Sequence, residues 1–214
     1  MPIYKGSSKV EHLTKGSTNI KMVYHGSDLV YEGLPVGYTR KTYIEQNTTQ
    51  PYGYVTTDLH LTGSSEVIID FETAETSSAF NLCGCFSSSS ATDNFSMYIG
   101  FSIASYIRYN GGVNRGFNAD YSTRYVLEMG PTGVKIDGDT VGTWESKTFT
   151  CSADFYIGYV QNASANSFRG RIYDVKIKGV AHFVPCVRDS DSKVGMYDII
   201  GETFYPCTGT LLTD

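Results

Sequence analysis

The sequence predicts an all-β protein, and three observations lead to this expectation. Aromatic residues make up 14% of the 214 residues, with 17 Tyr and 11 Phe, and such residues suit the pleated, half-buried surface of a sheet. The 22 Gly residues provide for many turns. No stretch has the apolar period of about 3.6 residues that a core-facing helix requires. Short strands with Gly-rich turns indicate a two-sheet antiparallel sandwich or a barrel.

An internal repeat with a period of ten residues occupies residues 1–33. Each unit contains an apolar residue, one further residue, Lys or His, a Gly-Ser pair, two residues and another apolar position. A Gly-Ser pair can form a tight hairpin turn because Gly tolerates positive φ. We therefore expect a small N-terminal β-meander. The three units are residues 3–10, 13–20 and 23–30.

The repeat is expected to be an attachment or assembly segment. Its apolar residues exceed what so thin an element can bury by itself, and exposed strand edges favour pairing with another chain. Closed symmetry is common among homo-oligomers, so we expect a homo-oligomer, with a trimer as the first guess. The alternative is that the meander packs against its own sandwich. The candidate assembly residues are Ile3, Val10, Leu13, Ile20, Met22, Val23 and Leu29.

A larger domain is expected over residues 34–214, because two Gly and one Pro interrupt the pattern at residues 33–37. A domain of about 180 residues buries roughly 70% of its unfolded surface and needs no disulfide or metal for stability. Strands are predicted over residues 66–72, 96–101, 105–109, 125–129, 134–136, 140–141, 149–159 and 169–178.

Two of these strands carry a clear alternation of apolar and polar residues. Val67, Ile69 and Phe71 are predicted to share one face of the first strand. In the last strand, the same alternation places Tyr173 on one face with Val175.

The charge pattern argues against a nucleic-acid partner. The formal net charge is −5, from 17 basic and 22 acidic residues, and the basic residues are scattered, whereas phosphate neutralisation needs them clustered. No stretch approaches the roughly 18 apolar residues of a membrane span, so no membrane insertion is expected. The first residues lack the regions of a signal peptide, and we expect synthesis in a cytoplasm.

No metal or cofactor is expected. The five Cys are an odd number, and Cys83 and Cys85 are spaced C-x-C without a nearby His, which does not fit a zinc site. Most are expected to be small buried residues. Residues 189–192, Asp-Ser-Asp-Ser, lack the later ligands of a calcium loop and are interpreted as a charged turn.

The final fifty residues and the opening strands of the larger domain resemble laminin-G-like, concanavalin A-like jelly-roll domains, over roughly residues 37–210. The matching segments are Arg-Ile-Tyr-Asp-Val-Lys-Ile at 171–177, Phe-Val-Pro-Cys at 183–186, Lys-Val-Gly-Met-Tyr-Asp at 193–198, Phe-Tyr at 204–205 and Thr-Gly-Thr at 208–210, with 43–45, 50–52 and 67–71 at the front. The tail is similar to that of such domains in phage, prophage and gut-bacterial proteins.

The N-terminal repeats resemble short repeats that precede such domains in tailed-phage virion proteins. Together the resemblances imply a jelly-roll sandwich in a non-enzymatic phage or prophage virion component: a tail-fibre, baseplate or head-fibre protein. Its lectin-like domain would bind a cell-surface glycan or another host surface ligand, and the repeat would contact other virion proteins. The alternative is a bacterial carbohydrate-binding lectin outside any virion.

A third alternative is a glucanase-like glycoside hydrolase of the same fold. Such enzymes carry carboxylates on alternate positions of one strand, and Asp70 and Glu72 have that spacing. Ile68 occupies the first position of the family's motif, however, and both carboxylates also fit a solvated strand face. We expect no catalytic residue.

The candidate ligand-binding residues are Trp144, Tyr106, Arg108 and Tyr109. Sugar binding uses an aromatic platform together with planar polar groups, and these residues offer rings and a fixed guanidinium fork. The alternative is that each of them is a packed or rim residue.

Overall fold

The computed structural model describes residues 4–5, 8–9, 13–15, 18–20, 22–25, 28–46, 53–74, 80–86, 92–99, 106–110, 112–115, 119–120, 122–159 and 166–214. All the regular secondary structure in these ranges consists of β-strands. These ranges contain no helix that is long and apolar enough to cross a membrane. The strands are β1 (Tyr4–Lys5), β2 (Ser8–Lys9), β3 (Leu13–Lys15), β4 (Thr18–Ile20), β5 (Met22–His25), β6 (Asp28–Glu32), β7 (Tyr38–Arg40), β8 (Ile44–Gln46), β9 (Tyr54–Thr56), β10 (Val67–Thr73), β11 (Phe80–Phe86), β12 (Asn94–Ile99), β13 (Tyr106–Tyr109), β14 (Gly112–Arg115), β15 (Arg124–Gly130), β16 (Gly133–Ile136), β17 (Asp139–Thr143), β18 (Tyr156–Ile157), β19 (Asn166–Ser167), β20 (Gly170–Ile177), β21 (Ala181–Arg188), β22 (Lys193–Asp198), β23 (Thr203–Thr208) and β24 (Leu211–Leu212).

The N-terminal repeat forms antiparallel hairpins, one for each Gly-Ser pair. β1 pairs with β2, β3 with β4 and β5 with β6, each as a two-stranded sheet. Leu13 is the register partner of Ile20, and the register of the third hairpin shifts between Val23 and Tyr24. Ile3 and Val10 lie outside the described residues. The role of the hairpins in assembly stays a prediction.

Two antiparallel sheets make up the larger domain. Sheet I runs β17-β16-β15-β10-β20-β21-β22-β23, with β8 also paired to β20 and β24, and β7 to β21. Sheet II runs β14-β13-β12-β11-β18-β9-β23, and β19 lies parallel to β11. β23 pairs with both sheets and joins them. The predicted all-β, two-sheet jelly-roll sandwich is confirmed.

The core lies between the sheets and takes one face of each strand. In β10, Val67, Ile69 and Phe71 are fully buried, and the intervening residues are half-buried on the other face, as the alternation predicts. From sheet II, Leu82 and Met97 complete the same cluster. Sheet I therefore has an outer face on which the polar residues of β10 stand.

β20 departs from the predicted alternation at a bulge. Asp70 pairs with Asp174 and Phe71 with Ile172, so Tyr173 is an extra residue in the ladder. A bulge adds one residue to one strand and turns the following side chains to the opposite face. Tyr173 therefore lies on the outer face of sheet I with Asp174, and the prediction that it shares a face with Val175 is wrong.

The predicted strand over residues 149–159 is shorter in the structure, where only β18 remains. The preceding segment follows residues 59–63 through separate backbone hydrogen bonds, from Cys151 N to Leu61 O and from Phe155 N to Leu59 O. Its apolar side chains are buried. The segment thus contributes side chains to the core without forming a continuous ladder of β-sheet hydrogen bonds. The alternation of apolar residues cannot distinguish such a segment from a regular strand.

A second, smaller cluster covers the outer side of β21. Leu34 is 4% exposed and packs with Val184, Cys186, Tyr197 and Ile199. Leu34 therefore belongs to the packing of the larger domain, although it follows the repeat directly in the sequence.

The cysteine thiols are buried or half-buried. Cys186 pairs across the sheet with Gly195, and Gly195 pairs on its other side with Pro206. β22 thus lies between Cys186 and Cys207, and two strand spacings of about 4.8 Å exceed the roughly 7 Å over which a disulfide can form. Burial raises the pKa of the Cys186 thiol to about 12, which keeps it protonated at neutral pH.

Candidate functional site

Two of the four residues predicted from sequence to bind a ligand, Tyr109 and Trp144, are packed against other residues of the domain. Tyr109 is 3% exposed, and its hydroxyl donates to the Gly63 carbonyl at 2.6 Å. Trp144 is half-buried and stacks on Tyr109. Both rings are therefore packed, as the alternative interpretation states. The Arg108 guanidinium lies 5.4 Å from the Phe86 ring centroid.

The placement of a ligand near these residues stays a prediction. Tyr106 lies on β13 beside Arg108, but its side chain is outside the described part of the structure. Trp144 alone keeps a partly open ring next to the core. Its indole nitrogen is buried and finds no hydrogen-bond partner among the described residues.

The structure instead reveals a polar groove on the outer face of sheet I, with a volume of about 640 Å³. It runs across β15, β10 and β20 and is bounded by the segment that follows β7. The residues that line it are Arg40, Lys41, Thr42, Ile68, Asp70, Arg124, Val126, Tyr173, Asp174, Lys176 and Asp214.

Strand register brings the charged residues of the groove together. Asp70 pairs with Val126 on one side and Asp174 on the other, so Arg124 on β15 is a diagonal neighbour of Asp70. Diagonal neighbours on a sheet face lie within reach of long side chains. The bulge in β20 adds Tyr173 to the same face.

Arg124 is held by two groups at once. Its Nε and Nη2 donate to the two carboxylate oxygens of Asp70, both at 2.7 Å, and its guanidinium lies 3.8 Å from the Tyr173 ring centroid. The hydrogen bonds to Asp70 raise the pKa of Arg124 further above its usual value. The Tyr173 hydroxyl donates to Glu72 Oε2 at 2.6 Å. This arrangement fixes the guanidinium plane in one orientation.

A second arginine extends this arrangement along the sheet. Arg171 Nε donates to Glu45 at 3.1 Å, and its guanidinium lies 4.5 Å from the Tyr43 ring centroid. The Tyr43 ring in turn meets Tyr173 edge to face at 5.8 Å. Two Arg–Tyr stacks therefore adjoin on the outer face of sheet I, each with a carboxylate partner.

Four further groove residues are held by polar contacts. Asp174 Oδ2 lies 2.7 Å from His182 Nε2, and Asp174 Oδ1 lies 3.4 Å from Lys176 Nζ. Thr42 donates to the Asp214 side chain through its backbone N–H at 2.9 Å and its hydroxyl at 2.6 Å. A ligand would meet side chains that are already ordered, which lowers the entropic cost of binding.

The outer face of sheet II carries a different feature, a cluster of three tyrosines. Tyr54 and Tyr159 stack with ring centroids 4.9 Å apart, and Tyr156 meets both rings at 5.8 to 5.9 Å. We call this the tyrosine cluster. The side chains of Tyr54 and Tyr159 are half-buried, and that of Tyr156 is buried. In the sequence, the cluster is indicated locally only by the proximity of Tyr156 and Tyr159.

Sequence reasoning missed the groove as well. Its residues come from five separated segments, and each alone looks like an ordinary solvated strand face. The one sequence feature that pointed to the groove was the presence of polar residues at the outward-facing positions of the predicted strands. Within the described ranges, no group of three or more His, Cys, Asp or Glu residues is arranged to hold a metal ion.

Fold and site together define an all-β sandwich with a polar groove on one outer sheet face. No protein-family model matches the chain, and no curated protein matches it. Among solved structures, it is similar to the native heptameric SAP-like pentraxin from Limulus polyphemus. That similarity has a TM-score of 0.47 and 17% sequence identity, and it covers 64% of this chain and 76% of the pentraxin chain.

Proposed function

We propose that the chain is a non-enzymatic binding protein whose groove on sheet I takes up a cell-surface glycan. The observation that carries the proposal is the groove itself, with a volume of about 640 Å³ lined by ordered polar side chains and the Tyr173 ring. Ligand sites typically occupy about 300–1,000 Å³ and combine apolar surface with a few fixed polar groups.

The chemistry of the groove suits a hydroxyl-rich ligand. Carboxylates such as Asp70 and Asp174 accept hydrogen bonds from sugar hydroxyls, and Arg124 and Lys176 donate to hydroxyl or ring oxygens. Hydrogen bonds to charged groups are stronger than those between neutral groups. Tyr173 adds an aromatic surface in the same place.

The arrangement of the carboxylates favours binding over hydrolysis. A glycoside hydrolase needs one carboxylic acid that carries a proton for the leaving group. Both oxygens of Asp70 accept N–H groups of Arg124, and Glu72 accepts the Tyr173 hydroxyl. We expect incubation with β-glucans to release no reducing sugar. Release that Asp70→Asn abolishes would contradict a purely binding role.

A panel of bacterial surface polysaccharides tests glycan binding directly. The purified chain should bind at least one polysaccharide, and Tyr173→Ala should weaken that binding while the circular dichroism spectrum stays unchanged. Binding to none of the polysaccharides, or binding that every groove variant retains in full, would contradict the proposal.

We further propose that the chain acts in a phage or prophage virion, as a tail-fibre, baseplate or head-fibre component. Support comes from the period-ten hairpins of residues 1–33 and from the sequence resemblances. The repeat would contact other virion proteins, and the groove would face the host surface. Capsid, portal or tail genes beside the coding gene are expected. A setting without them favours a free bacterial lectin.

A further inference from the structure

We infer that the ligand of the groove is an acidic glycan, one whose sugars carry an oxyanion that Arg124 receives. The inference rests on the proposed glycan-binding function and names the ligand class of the same site. The shared chemistry is a carboxylate or a phosphate group on a sugar, and both fit the planar fork of a guanidinium.

Arg124 has donors to spare after its contacts within the protein. A guanidinium carries five N–H groups, and the pair with Asp70 uses one on Nε and one on Nη2. Among the described residues, the remaining N–H groups on Nη1 and Nη2 have no hydrogen-bond acceptor. The guanidinium that carries them is stacked on Tyr173, and more than half of the side chain is exposed. A fixed, partly used fork of this kind is suited to a second oxyanion.

Two cations of the groove are more exposed than their carboxylate partners. The Arg124 side chain is 53% exposed and Asp70 only 21%, and Lys176 is 46% exposed and Asp174 only 23%. These two cations are therefore more accessible to a ligand than their carboxylate partners are. Exposed ion pairs contribute only about 0–1 kcal/mol, so a ligand anion can share these cations at little cost.

The balance of charge in the groove differs from that of the whole chain. Four basic side chains line it against three acidic ones, whereas the chain as a whole has a formal net charge of −5. The groove thus lacks the excess of acidic groups that the whole chain has, which favours the approach of an anion there over other parts of the surface. The basic residues are Arg40, Lys41, Arg124 and Lys176.

Arg188 provides a matched control for Arg124. It donates from Nε and Nη2 to both carboxylate oxygens of Asp191, at 3.0 and 2.7 Å, and its guanidinium lies 4.9 Å from the Phe204 ring centroid. The two arginines share one local design, but Arg188 does not line the groove. A difference between them therefore reports the groove and not arginine chemistry in general.

The first experiment is a polysaccharide array with paired members. Uronic-acid polysaccharides are printed before and after reduction of their carboxylates to alcohols, and phosphate-bearing polysaccharides before and after removal of phosphate. The protein should bind the acidic polysaccharides, and its affinity for their neutral counterparts should be lower by about tenfold or more. Arg124→Gln should cause a similar loss, Arg124→Lys a smaller one, and Arg188→Gln less than a twofold change. Equal binding of the neutral counterparts overturns the inference and leaves glycan binding intact.

The second experiment observes the arginines themselves by the NMR signals of their Nε–H groups, assigned with Arg124→Lys and Arg188→Lys. Millimolar glucuronate or glucose 1-phosphate should shift the Arg124 signal and not that of Arg188, and glucose should shift neither. The anion that shifts the Arg124 signal at the lower concentration shows whether the site prefers a carboxylate or a phosphate. An unmoved Arg124 signal, or equal shifts of both arginines, overturns the inference. A selective Arg124 shift without any array binding contradicts the glycan-binding function instead.

Discussion

Tyr109 and Trp144 stack with their ring centroids 5.3 Å apart and their planes 25° apart. The Tyr109 hydroxyl donates to the Gly63 carbonyl at 2.6 Å and accepts the Lys147 backbone N–H at 3.1 Å. One buried phenol thus ties the end of β13 to two loops. Tyr109 belongs to the core and Trp144 packs against it, so the stack contributes to stability.

Tyr109→Phe is therefore expected to lower the free energy of unfolding by about 1–3 kcal/mol, because it removes the hydrogen bonds of the buried Gly63 carbonyl and the part-buried Lys147 N–H. Urea denaturation measures the loss. Tyr125→Phe is the control, since the Tyr125 hydroxyl meets the exposed Asp120 backbone and should cost less. Equal losses for the two variants would contradict the structural role given to the Tyr109 hydroxyl.

Part of the fold is predictable from local patterns. The alternation of Val67, Ile69 and Phe71 in β10 is correct, since one face of that strand meets the core. The Asp137-Gly138 pair forms the turn between β16 and β17, with positive φ at both residues, 50° and 90°. These features depend on a few adjacent residues, which is why the sequence predicts them.

The groove depends on relations that no local pattern contains. A single bulge decides that Tyr173 faces Arg124 and not the core, and a bulge reverses every later side chain of a strand without changing its composition. The partners Asp70 and Arg124 are 54 residues apart in sequence. The packing of Trp144 on Tyr109 was equally hidden, because aromatic residues have the same composition signal in a core and on a surface.

Gly170→Ala should destabilise the protein strongly. Gly170 has a φ of +146°, and an added Cβ would lie 2.0 Å from the Glu72 carbonyl oxygen. Gly37 has a φ of +95° with open space around its Cβ position, so Gly37→Ala isolates the backbone strain, about 1–2 kcal/mol. We expect Gly170→Ala to exceed about 4 kcal/mol in urea denaturation. Similar losses of unfolding free energy in the two variants would contradict the close contact between β20 and β10 at Gly170.

Asp191 should make stability sensitive to acid. The hydrogen bonds from Arg188 lower the pKa of Asp191 to about 2, from an ordinary 3.8. A group whose pKa is lower in the folded state contributes stability above its unfolded pKa and loses it as the pH falls through the folded value. The thermal midpoint should therefore fall between about pH 4 and pH 2 less steeply in Asp191→Asn than in the wild type. Asp189→Asn serves as the control, and an unchanged slope in Asp191→Asn would contradict the pairing.

Removal of the repeat tests its role in assembly. A chain that begins at Gly33 keeps Leu34, which is 4% exposed in the second cluster, whereas a start at Gly37 would lose a buried Leu worth about 2–5 kcal/mol. We expect the chain from Gly33 to fold and to bind its ligand. It should sediment as a monomer, and it should not be incorporated into the proposed virion. Retention of the full-length oligomeric state, or loss of the fold, would contradict an assembly role.

The affinity of three alanine variants for one bound polysaccharide tests the central claim most directly. Tyr173 lies in the groove, Tyr159 in the tyrosine cluster and Trp144 at the position chosen from sequence. We expect Tyr173→Ala to weaken binding about tenfold or more, whereas Tyr159→Ala and Trp144→Ala should each change it less than twofold once folding is verified. Loss of affinity in either of the latter two, with Tyr173→Ala unaffected, would contradict the placement of the ligand in the groove.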